Sequence, residues 1–196
     1  KIVFAELTTN IATALRSARQ TVAAISVSIG GPLDVLNGII KSPPNLPGWT
    51  NIALKKLLTE RFTLPVYVEH DGNAGALAEF YFGAGKNFRN IIFITMGTGF
   101  GAGLILNGQL YRGASDCAGE IGHLRIAEDG PRCYGKAGSL EGFGSGTGIA
   151  KLAQMMYPAI WNASATVIDV YEQYKAGSTE AREVFARAGF YLGRGF

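Results

Sequence analysis

The chain has 196 residues, of which 47% are hydrophobic and 17% charged, so it can bury a core and is not disordered. A net charge of +3 with no run of Lys/Arg is too weak and too dispersed to argue for a nucleic-acid surface. Two cysteines, Cys117 and Cys133, make no disulfide framework. There is no signal-peptide pattern and no apolar stretch near about 18 residues, which predicts a reduced, cytoplasmic protein without a membrane span.

Lys1 is not Met, and Phe196 falls inside a predicted helix, so both ends read as cut and the chain is expected to be part of a longer protein. Residues 1–5 read as a short strand. Ile11, Leu15 and Ala18 recur at helical spacing and predict a helix over 8–20. Residues 22–29 form an apolar, β-branched strand closed by the turn signal Gly30-Gly31-Pro32. Three prolines make 41–50 a loop. A helix over 51–61, with Thr50 as its cap, leads to a strand over 64–69 and an apolar helix over 73–82 closed by Gly83 and Gly85.

The pattern then changes. A strand over 91–95, a glycine loop over 97–103 and a strand over 104–106 lead to Asn107-Gly108, a hairpin signal, and a strand over 109–112. Residues 121–127 read as a strand and 128–138 as an irregular loop, and helices are predicted over 140–156, 166–176 and 178–196. Strands joined by helices, then antiparallel strands, then helices, predict an α/β protein with two lobes that divide near the helix of residues 73–85.

Several segments carry polar groups that could do chemistry. The glycine loop lacks the lysine of a Walker A loop and runs into a strand, not a helix, so both that motif and a dinucleotide fingerprint fail. Its N–H groups could still cradle phosphate, with Thr98 adding a hydroxyl, or the glycines could serve only a β-turn. Asp71 stands where a buried strand ends. It could accept the proton of a substrate hydroxyl, or cap the following helix. Asn45 and Trp49 lie on the proline loop, which could present an amide and an indole to a sugar or be a plain turn. Glu120 and His123 could share a polar substrate or be a surface pair, and His123 could meet a metal. Glu141 could bind a substrate or complement a helix N-terminus. One cysteine and one distant histidine do not make a zinc site, so no metal ligands are assigned.

Together these segments resemble the ROK family of sugar kinases and sugar-responsive repressors, in order over nearly the whole chain. The resemblance is carried by Ser28-Ile29-Gly30-Gly31-Pro32 with Asn45-Leu46-Pro47-Gly48-Trp49, by Val68-Glu69-His70-Asp71-Gly72-Asn73-Ala74, by Gly97-Thr98-Gly99-Phe100-Gly101 with Asn107-Gly108, and by Ala118-Gly119-Glu120-Ile121-Gly122-His123. It implies an actin-like (ribonuclease H-like) ATPase fold, two-lobed and here incomplete. Residues 1–85 would be a sugar-side lobe and 86–196 a lobe with the second phosphate loop. By the same resemblance, Asp71 would be the general base of an ATP-dependent hexose kinase. Asn45, His70, Glu120, His123 and Glu141 would bind sugar hydroxyls. Gly97, Thr98, Gly99 and Gly101 would hold ATP phosphates bridged by Mg2+, and the assembly would be a homodimer.

Three departures qualify the resemblance. The family's opening DxGGT phosphate hairpin is missing. His70 stands where the family has asparagine. Aligned on Gly135, Gly138 and Glu141, the cysteine positions of the family's zinc loop hold Arg132, Tyr134 and Ser139, which leaves zinc doubtful. A sugar-responsive repressor whose DNA-binding part lies outside this chain is the alternative reading, and a non-catalytic sugar-binding protein is the third.

Overall fold

The computed structural model describes residues 2–43 and 46–196. Two compact units emerge, Lys1–Ala74 and Gly75–Phe196.

The first unit opens with α1 (Ile2–Ser17), so where a strand was expected over residues 1–5 the described part, from Ile2 on, is the first turn of a helix. Phe4, Leu7 and Ile11 fall at helical spacing and pack on the core, while Ile2 and Val3 stay exposed. An apolar face that can be buried outweighs the weak β-propensity of two branched residues. The chain continues through β1 (Ile25–Ile29), β2 (Leu33–Asp34), β3 (Ile39–Ile40), α2 (Leu54–Phe62) and β4 (Val66–His70), and enters α3 (Asp71–Phe82). β1 and β4 are parallel, with Ile29 opposite His70, so both strands end at the same edge.

α2 starts three residues later than expected. Asn51 holds a left-handed φ of 54° and Ile52 bridges to Ile40, so neither is helical, and Thr50 caps nothing. Ile40, Leu54 and Leu58 are fully buried in the core. Each such side chain contributes about 1.5–3 kcal/mol relative to exposure. Trp49 joins them at 8% exposure, so its indole packs inward and is not presented to a ligand. Asn45 lies outside the described residues.

The second unit holds an antiparallel sheet of β5 (Ile91–Met96), β6 (Phe100–Leu106) and β7 (Gln109–Tyr111). Asn107 and Gly108, with φ of 54° and 81°, make the tight hairpin that this dipeptide favours. The glycine run is not a single loop. Met96 pairs with Phe100, so only residues 97–99 turn, and Gly101 lies in β6 opposite Thr95.

Where a strand was expected over 121–127, the chain makes a 3-10 turn at Ile121–His123, and only Arg125 bridges, to Ser139. Gly119 and Gly122 explain this. A Cβ at Gly119 would collide with the Ala102 carbonyl oxygen and one at Gly122 with that of Phe100. The chain therefore lies backbone-on-backbone against β6, joined to it by the Ala102 N–H donating to Gly119 O at 2.9 Å, and does not run on as a strand. The expected irregular loop contains a small hairpin, β8 (Arg132–Cys133) and β9 (Lys136–Ala137).

The single helix expected over 140–156 is two, α4 (Leu140–Gly144) and α5 (Gly146–Met156), followed by α6 (Val167–Lys175) and α7 (Thr179–Gly195). Ser145 makes the break: extended at φ −81° and ψ 159°, it ends α4 and caps α5 by accepting the N–H of Gly148. Phe143, Leu152, Trp161, Val170 and Val184 form the core of this unit. No helix among the described residues is long and apolar enough to cross a membrane.

Candidate functional site

In the first unit the parallel pairing of β1 and β4 brings Gly30-Gly31 beside His70-Asp71. A Cβ on Gly31 would lie 3.1 Å from the His70 ring, and one on Gly30 would lie 3.9 Å from Asp71 Oδ2. Asp71 is half exposed. Its Oδ1 accepts the N–H of the adjacent Gly72 at 2.8 Å and lies 3.3 Å from His70 Nδ1. A helix-capping side chain normally reaches the N–H two or three residues on, and Asp71 stops at the next residue. Its Oδ2 accepts no hydrogen bond among the described residues, which leaves one carboxylate oxygen open at a strand end.

The residues behind Asp71 are tied together. Glu69 Oε1 accepts from the His70 N–H and from Asn73 Nδ2, each at 3.0 Å. Asn73 is 2% exposed, and its Oδ1 is buried with no hydrogen-bond partner among the described residues. Such an orphan acceptor in a native fold calls for a water or a ligand donor. Sequence reasoning named Asn73 only as part of the segment, because nothing in a sequence distinguishes a satisfied amide from an orphaned one.

In the second unit the turn of residues 97–99 is held from two sides. Gly97 N–H donates to Gly99 O at 3.0 Å, and Gly146 N–H, at the start of α5, donates to Gly97 O at 2.8 Å. Phe100 N–H donates to Glu141 Oε2 at 2.9 Å. The N–H groups of Thr98 and Gly99 donate to no acceptor among the described residues. A Cβ at Gly97 would meet nothing within 4 Å. A fixed turn with free N–H groups and open space beside it fits an anionic oxygen. Gly101 stands behind the turn, in the strand.

Glu120 and His123, three residues apart, lie beside the more distant Glu141: a Cβ on Gly122, between them, would stand 3.4 Å from Glu141 Cβ. The 3-10 turn places His123 Nε2 3.5 Å from Glu120 Oε2, both side chains being partly exposed. The Tyr134 ring packs on the His123 imidazole, with centroids 5.3 Å apart and planes at 43°. Tyr134 is largely exposed, and its partial burial pushes the phenol above its ordinary value, with the charges of Glu141, Cys133 and Glu120 acting the same way. The phenol therefore sits in the field of both carboxylates. Tyr134 was read only as a residue in a cysteine position. Its one sequence signal is a large aromatic immediately before a turn glycine. Two surface hollows of the second unit, of about 360 and 390 Å3, contain none of these residues.

A metal does not fit this loop. Arg132 is a fixed cation, and Ser139 Oγ is committed to the N–H of Gly142 at 3.1 Å. The raised Tyr134 pKa disfavours the phenolate that would bind a metal, and burial raises the Cys133 thiol in the same way. Among the described residues no three His, Cys, Asp or Glu side chains gather around one point.

The family model described as ROK family matches residues 3–196. The chain is 37% identical over 172 residues to the xylose repressor of Bacillus spizizenii, covering 87% of this chain and 43% of that protein. It is 34% identical over 206 residues to the glucokinase of Halalkalibacterium halodurans, covering 95% of this chain and 62% of that protein. Its structure is similar to that of a ROK family glucokinase from Streptomyces griseus in complex with glucose and AMPPNP. The TM-score is 0.75 at 30% identity, over 95% of this chain and 65% of that one. The chain thus spans about half the length of the curated relatives it matches.

Proposed function

The chain belongs to the ROK family and has its actin-like ATPase fold, and from that premise we propose that it works as an ATP-dependent hexose kinase with Asp71 as general base. The observation that carries this reading is the open Oδ2 of Asp71 at the end of β4. A carboxylate so placed can take the proton of an attacking sugar hydroxyl. His70, close to Oδ1, would steady the carboxylate or contact the sugar.

Asn45, His70, Glu120, His123 and Glu141 would bind hydroxyls, carboxylates accepting and His123 donating or accepting. A hexose offers hydroxyls all round, and partly exposed acids on rigid turns match that chemistry. Gly97, Thr98 and Gly99 would hold the phosphates through backbone N–H groups, and Gly101 keeps the strand behind them narrow. When bound, Mg2+-ATP supplies the phosphoryl group and spreads its charge.

The repressor reading is favoured by one observation, the 37% identity to a xylose repressor. Sugar-stimulated ADP release, measured with the full-length protein over hexoses and xylose, separates the two. Turnover with a hexose that falls by about 10²–10⁴ in Asp71→Asn is expected. Binding of a sugar with no ADP release would select the repressor, and an Asp71→Asn variant with normal turnover would overturn the base assignment.

A further inference from the structure

The loop has lost the chemistry of a metal site, yet it holds its shape. Two segments are stitched by backbone alone. Ile126 N–H and Ala127 N–H both donate to Gly138 O, at 2.9 and 3.2 Å, and Leu140 N–H donates to Leu124 O at 2.8 Å. Lys151 Nζ donates to Arg132 O at 2.8 Å and ties the hairpin to α5. What such bonds cannot do is orient an exposed imidazole.

We propose that Tyr134 is a positioning residue that holds the His123 imidazole in the sugar-binding cluster, so that this loop works without a metal. The β8–β9 turn puts Tyr134 at φ 48° and Gly135 at φ 76°. A turn with two left-handed residues prefers Asn-Gly, and a bulky aromatic at the first position is an outlier. Outliers of this kind cluster at functional sites. Here the ring that side chain meets, among the described residues, is His123. Tilted aromatic pairs attract beyond their buried area. The contact fixes the plane of the imidazole, and with it the direction in which Nε2 faces Glu120. The sugar-binding part of this proposal rests on the kinase or sugar-sensor reading; the metal independence and the ring contact do not.

The test uses the full-length protein, with the His123 ring resonance assigned through His123→Gln. In the unaltered protein, cross-relaxation between Tyr134 and His123 ring protons is expected. Metal analysis should find no stoichiometric zinc, and excess EDTA should leave the melting temperature unchanged. Tyr134→Phe should keep the His123 chemical shift and the KM for sugar. Tyr134→Leu should move that shift and raise the KM, or the Kd if no turnover occurs, roughly two- to tenfold with little change in kcat. One zinc per chain whose removal lowers the melting temperature, absence of the ring-to-ring cross-relaxation, or a His123 shift that Tyr134→Leu leaves in place would each overturn the proposal. Because cross-relaxation and metal content are read on the unaltered protein, a poorly folded variant does not protect the idea. A protein that passes these tests but neither binds nor phosphorylates any sugar would instead defeat the functional reading.

Discussion

Glu141 Oε2 accepts the backbone N–H of Phe100 at 2.9 Å, which joins the first turn of α4 to the end of the glycine turn. The other oxygen of this carboxylate accepts no hydrogen bond among the described residues. One side chain therefore braces the glycine turn and, under the proposed function, would keep an acceptor free for a sugar hydroxyl. Glu141→Gln retains a carbonyl for Phe100 and should raise the KM for sugar more than that for ATP. Glu141→Ala removes both functions and should raise both constants. A hydrogen bond to a charged group contributes about 1.5–3 kcal/mol, so losses of roughly ten- to a hundredfold are expected. Steady-state kinetics with each substrate varied in turn decides this, and an ATP KM unmoved in Glu141→Ala would show that the brace is dispensable.

Ser145 supports the same turn from behind. Its side chain is fully buried and accepts from Gly148 N–H at 2.9 Å, while the next residue, Gly146, donates to Gly97 O. Ser145→Ala removes the cap and should lower stability by about 1–2 kcal/mol, with Ser145→Gly costing only a few tenths. Urea unfolding at constant m-value measures both. Equal midpoints for Ser145→Ala and the unaltered protein would mean that α5 needs no cap.

Much of this was legible in the sequence, for local reasons. The branched apolar runs became β1, β4 and β5, and Asn107-Gly108 became a hairpin, because period-two patterning and turn chemistry act over a few residues. Asp71 at a strand end was legible for the same reason. The contact of Glu141 with Phe100 was not, since it joins residues 41 apart through a backbone N–H that no residue type advertises. The 3-10 turn at Ile121–His123 was misread as a strand because Gly119 and Gly122 act through close approach to β6, which is a tertiary fact. Tyr134 was hidden by its position, since turn rules expect Asn or Gly where it stands.

The α6 cap gives a pH dependence with a definite sign. Thr166 N–H and Oγ1 both bond to Asp169 Oδ2, at 2.7 Å each, and the Thr166 backbone N–H, followed by its hydroxyl, holds the Asp169 carboxyl below its ordinary value. A depressed carboxyl stabilises the fold above its unfolded value, near pH 4, and that contribution is lost as pH falls through the folded value. The melting temperature of Asp169→Asn should therefore lie below that of the unaltered protein at neutral pH, and the gap should close in acid below about pH 4. Calorimetry across that range checks it, and a gap independent of pH would remove the carboxylate from the account.

The two cysteines should differ in reactivity because Cys117 meets solvent while the Cys133 thiol is buried. Cys117 is exposed. Cys133 is buried, and burial, opposed by Lys151 and reinforced by Glu141, pushes its thiol up. Thiolate is the attacking species, so iodoacetamide at mildly alkaline pH should alkylate Cys117 in the native protein and spare Cys133 until urea is added. Peptide mass spectrometry resolves the two sites. The raised thiol also means that Cys133 stabilises the fold below its ordinary titration range and ceases to as pH rises through the folded value. If a metal were held by the loop, EDTA would unmask Cys133. If backbone hydrogen bonds and Lys151 hold it, labelling of Cys133 should be the same with and without chelator.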